Sequence, residues 1–161
     1  MRSAVVNSTP IISLHSIGRL DLLEKMYSKI YIPYAVYEEV CIDGHIVIDK
    51  NLLMSFSNFS IERVSNAEAG RYFRTSLHRG EVETMILASE LKADLCIIDD
   101  QVARNHAKFL GLTVTGTLGL LAKGKERGFI ERVVPLMDSL IQNGIYISDK
   151  LYADVRRIVG E

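Results

Sequence analysis

The chain has 161 residues, 48% of them apolar and 24% charged, with nineteen basic side chains against twenty acidic ones and a formal charge of -1. This composition excludes a disordered segment or a disulfide scaffold, and the missing basic excess excludes capture of nucleic acid by bulk charge, so any such contact must be local. One hydrophobic core suffices at this length, and a single domain over residues 1–161 is expected.

The elements alternate from the start. Ala4 to Val6 reads as a buried strand that runs into a helix, with Ser8 or Thr9 placed to cap it and Pro10 in its first turn. Gly18 should break the following apolar periodicity into two helices. Ile30-Tyr31-Ile32 predicts a second strand, and Pro33 starts a helix through Val36 and Val40. Between Asp43 and Asn66 a short helix near Leu52-Leu53 and a strand from Phe59 to Val64 are expected.

Gly80-Glu81 opens a helix in which Val82, Met85, Ile86 and Ser89 share a face, and Leu95 to Ile98 is a buried strand. Asp99-Asp100 ends that strand before a helix closed by Gly111. Thr113 to Thr115 is a further strand, followed by a helix from about Thr117 to Lys123. The stripe from Ile130 to Ile141 predicts a helix that Pro135 bends or delays, Ile145 to Ile147 an edge strand, and Leu151, Val155 and Ile158 a closing helix. Strands joined through helices imply an α/β fold of three layers, α/β/α, around a central, mostly parallel sheet.

Cys41 and Cys96 have no metal-ligand spacing, and Cys96 lies in an apolar run as a buried thiol would, which fits a reducing compartment. The first apolar run is broken by Asn7, Ser8 and Pro10, too early for a signal peptide, and no apolar stretch reaches the roughly eighteen residues of a membrane span. A cytoplasmic location without a membrane partner is expected.

Ligands of parallel α/β sheets bind beyond the carboxyl ends of the strands, where the strand order reverses. Asn7 and Asp99-Asp100 follow strands directly, and Glu39 and Glu81 lie on helices able to face the same crevice. Converging acids repel one another, and a divalent cation relieves that repulsion. An oxygen-only set suits Mg²⁺ or Mn²⁺ rather than zinc, and such ions support phosphodiester hydrolysis. Each residue also has a plainer reading. Glu81 complements a helix dipole, Asp99 or Asp100 caps a helix, Glu39 beside Glu38 belongs to a solvated face, and Asn7 forms an Asx-turn.

Taken together, the residues resemble the PIN-domain family. Val5-Val6-Asn7-Ser8-Thr9-Pro10 is similar to its opening strand and Ser/Thr turn, and Val36-Tyr37-Glu38-Glu39 to its "V-x-x-E" helix. Glu81 with Ala88 is similar to its acid and following alanine, and Asp99, with Asp100 beside it, to its last acid. Asp99-Asp100 with Arg104, and Thr115-Gly116-Thr117-Leu118-Gly119, look like a compact prokaryotic subgroup similar to VapC toxins. The resemblance runs from about Val5 to about Tyr152 and departs at Asn7, where the family has an acid.

That resemblance implies a PIN-like fold and a ribonuclease in which Glu39, Glu81, Asp99 and Asp100 hold Mg²⁺ or Mn²⁺ while Asn7 orients a ligand or water. It also implies RNA as substrate, an antitoxin protein as partner and a homodimer. The alternative is a PIN-like binding protein impaired by Asn7. Arg74, Arg79 and Arg104 are the candidate phosphate contacts, with Lys123, Lys125 and Arg127 as a second basic run or merely a solvated face. Gly119 to Glu126 approaches a phosphate-binding loop, but Glu126 stands where a hydroxyl should hold Mg²⁺, and its apolar residues suit a helix better.

Overall fold

The computed structural model describes residues 1–45, 47–66 and 77–161. The first half contains β1 (Ser3–Val6), α1 (Ser8–Ser16), α2 (Asp21–Met26), β2 (Lys29–Pro33), α3 (Tyr34–Glu38), α4 (Lys50–Leu53) and β3 (Phe59–Glu62). A π-helical turn, Glu39–Asp43, continues α3. The second half contains α5 (Arg79–Glu90), β4 (Leu95–Ile97), α6 (Gln101–Phe109), β5 (Val114–Thr115), α7 (Thr117–Glu126), α8 (Val134–Gln142) and α9 (Asp149–Ile158).

Five strands form one sheet in the order β3-β2-β1-β4-β5, every neighbouring pair parallel. β1 is central, with Ala4 opposite both Ile30 and Leu95. Strands covered on both faces must be apolar at successive positions, which is why Ala4-Val5-Val6 and Leu95-Cys96-Ile97 are wholly buried. Their side chains alternate between two cores. Ala4, Val6, Leu95 and Ile97 join Ile11, Leu23, Leu121 and Met137 in the larger one. Val5, Cys96 and Ile98 meet Met85, Leu87, Ala103 and Ala107 of α5 and α6 in the smaller. Burying a side chain of leucine size stabilises the fold by roughly 1.5–3 kcal/mol, so the two cores hold helices on both faces.

Several expectations need correction. Ser8 is inside α1 and Asn7 holds the cap position, but its side chain makes no cap bond. Ser89 is exposed, and α5 instead buries Glu81, Thr84, Met85 and Ala88. Ile145 to Ile147 forms no strand. Gly144, at φ +87°, turns the chain after α8, and Ile145 and Ile147 pack partly buried against the larger core, while β5 has no partner on its outer edge among the described residues. α7 is helical through Glu126, so the glycine-rich stretch there is not a phosphate loop. Pro135 sits in the first turn of α8, where its missing N–H costs nothing. Among the described residues no helix is long and apolar enough to cross a membrane.

Candidate functional site

The order of the sheet changes direction at β1, which pairs with β2 on one side and β4 on the other. At the carboxyl ends of β1 and β4 lies a crevice of about 380 Å³ lined by Asn7, Ser8, Thr9, Glu39, His78, Glu81 and Asp100. Residues from four separate stretches of chain therefore converge at the switch point where ligands of such sheets bind.

Asn7 leaves β1 with its backbone N–H on Ile97 O at 3.0 Å, which pins the two strand ends together, and it is only 5% exposed. Glu39 stands at the start of the π-helical turn, and its Oε2 accepts a hydrogen bond from Ser8 Oγ at 2.5 Å. Glu81 lies in the first turn of α5, 5% exposed, with Oε1 accepting the His78 backbone N–H at 2.9 Å. Burial pushes the Glu81 carboxyl above its ordinary range. The His78 N–H opposes that rise, and the charges of Asp100 and Glu39 add to it. Asp100 is exposed and caps α6, its Oδ2 accepting Ala103 N–H at 2.9 Å.

Asp99 is placed differently. Adjacent residues of an extended link project to opposite sides. Asp99 accordingly lines a neighbouring cleft, and its two oxygens accept Thr117 N–H and Thr117 Oγ1–H, both at 2.7 Å. The expected acid set thus divides, with Glu39, Glu81 and Asp100 on the crevice and Asp99 tied to the start of α7. Arg104 lines the cleft with Asp99. Arg79 is paired with Glu38 at 3.3 Å and Glu83 at 3.2 Å, and Arg74 lies outside the described residues. The second basic run is engaged within the chain: Lys123 on Glu126, Lys125 on Glu161, and Arg127 on Met26 O.

Ser8 and Thr9, read from the sequence as caps, line the crevice, and so does His78, which directly precedes α5. The Ser/Thr turn after the first strand was the available signal for the hydroxyls. His78 could be found only through its place immediately before α5.

The oxygen donors fit a hard divalent cation in chemistry. Among the described residues, however, no three His, Cys, Asp or Glu side chains form a ready metal cluster. Each crevice carboxylate is instead held by its own protein donor, from Ser8, His78 or Ala103.

A parallel α/β/α fold with acids at the switch point defines a PIN-like protein. The chain matches the family DUF3368, a PIN domain, over residues 3–161, and it belongs to that family. It is similar in structure to a PilT N-terminus domain protein, SSO1118, from the hyperthermophilic archaeon Sulfolobus solfataricus P2, with 25% identity and a TM-score of 0.53 over 75% of this chain and 92% of that one. No curated protein matches it. PIN domains are generally nucleases, bind RNA and depend on divalent metal.

Proposed function

We propose that the protein is a metal-dependent endoribonuclease, folded as one domain, whose site is the crevice of Asn7, Glu39, Glu81 and Asp100. The convergence of these residues at the end of β1 and β4 carries the reading. Glu39, Glu81 and Asp100 would hold Mg²⁺ or Mn²⁺, and Asn7 would orient water or a phosphate oxygen through its neutral amide. The ion supplies charge against the phosphodiester and lowers the pKa of water. Ser8 fixes the Glu39 carboxylate, and the His78 N–H fixes Glu81, so both point into the crevice before RNA arrives. Asp99 is a positioning residue in this scheme, since its bonds to Thr117 tie the end of β4 to α7.

The two free cysteines support a reducing cytoplasm. A role as the toxin of a toxin-antitoxin pair, with an antitoxin partner and a homodimeric state, belongs to the same proposal. Arg79 and Arg74 remain proposed RNA contacts, as the sequence suggests. The second reading, a binding protein of the same fold without activity, is favoured by one feature, the amide of Asn7 in the place of an acid.

Calorimetric titration with Mn²⁺ separates the two. Asn7→Asp adds charge without changing shape, and affinity should rise about tenfold in that variant while Glu39→Gln loses binding. Equal or weaker affinity in Asn7→Asp would count against the metal site.

A further inference from the structure

Beside the crevice a cleft of about 650 Å³ opens between the start of α6, the β5 to α7 junction and the Ile145 to Ile147 segment. Thr9 lines both cavities, so a chain leaving the crevice on that side enters the cleft next. Leu118, Leu140 and Leu151 give the cleft an apolar lining, and Tyr146, 88% exposed, stands on it.

The polar element is Arg104. Its Nη1 donates to Ile98 O at 3.3 Å, while its buried Nε–H has no hydrogen-bond partner among the described residues. That buried donor is costly where it stands, and the guanidinium as a whole lines the cleft with its positive charge, where a ligand's acceptor gains a charge-assisted bond. Gly116 keeps that guanidinium in place, because a Cβ there would lie 2.5 Å from Arg104 Nη1 and 2.8 Å from Asp99 Oδ1. Asp99 lines the cleft as well, with its two oxygens held by Thr117 N–H and Oγ1–H, and its negative charge stays beside the guanidinium.

An exposed aromatic ring, an apolar lining and a guanidinium on the cleft wall form the combination that receives an unstacked base and an acceptor of its nucleotide. We propose that the cleft holds an unpaired nucleotide flanking the scissile phosphate of a single-stranded RNA, with the base on Tyr146 and an acceptor of that nucleotide on Arg104. The proposal rests on reading the neighbouring crevice as a ribonuclease site.

Fluorescence anisotropy with a short labelled single-stranded RNA tests it, on a Glu81→Gln background in Mg²⁺ so that no turnover intervenes. Tyr146→Ala and Arg104→Gln should each raise Kd about tenfold, the size of one lost base–aromatic stack, and leave Kd for a blunt RNA duplex unchanged. Tyr146 is too exposed for its removal to unfold the chain. Unchanged single-strand affinity overturns the proposal, as it would if the cleft received a peptide instead, and an equal loss on duplex overturns it too. Turnover by the wild-type chain is scored separately. Weakened binding in Tyr146→Ala supports the cleft even if the wild type cleaves no RNA, and unchanged binding overturns it even if the wild type does cleave.

Discussion

Gly80 shows how much of the site depends on a missing atom. A Cβ at this position would lie 2.5 Å from Glu39 Oε1, so the first turn of α5 can approach the Glu39 carboxylate only as glycine. Alanine suits a helix better, and the group it would strike is the end of a flexible side chain, so the displacement falls on the carboxylate rather than on the fold. Gly80→Ala should therefore keep its melting temperature yet lose about tenfold in Mn²⁺ affinity, measured by calorimetry beside a thermal melt. Unaltered affinity would mean that Glu39 does not need its present position. The division of Asp99 from Asp100 belongs to the same scale. The sequence marks both as acids after a strand, and only the local backbone decides that one faces the crevice and the other Thr117.

At the scale of elements, what was legible was whatever a local pattern determines. β1 and β4 were readable because buried parallel strands are continuous apolar runs, and Gly18, Pro33, Gly111 and Pro135 punctuated their helices as backbone chemistry requires. Ile145 to Ile147 was misread for a physical reason. Its residues alternate between partly buried and exposed as a strand's do, but a strand also needs a partner, and pairing is not encoded in the segment itself. Equally hidden was the anchoring of α8 by Glu161, whose carboxylate accepts Val133 N–H at 2.8 Å and Val134 N–H at 3.0 Å and meets Lys125 at 2.9 Å. Burial alone would raise this carboxyl, but Lys125 and the two N–H groups outweigh it and hold it at about 2, against an ordinary 4.5. A depressed carboxylate contributes stability above its unfolded pKa and loses it as pH falls toward the folded one. Glu161→Gln should melt below the wild type at pH 7, with the difference shrinking from about pH 4.5 down to about pH 2. A gap that stays constant in thermal melts across that range would show that charge is not what holds α8.

Across the whole molecule, the topology does what no local segment can. Asn7, Glu39, Glu81 and Asp100 are far apart in sequence, and the parallel order around β1 brings them to one edge. Burying a carboxyl there runs against stability, as the raised pKa of Glu81 indicates, with the charges of Asp100 and Glu39 adding to the effect, and a cation would relieve it. The chain's near-neutral charge leaves the proposed RNA binding to local features, of which the crevice and the Arg104–Tyr146 cleft are the two argued above. The most direct test of the account is cleavage of labelled single-stranded RNA in Mg²⁺ or Mn²⁺ by the wild type, Glu39→Gln and Asp100→Asn. The account predicts cleavage by the wild type that chelation abolishes, with a loss of about a hundredfold in each variant. Wild-type rates in both variants, or no cleavage by the wild type with either ion, would contradict it.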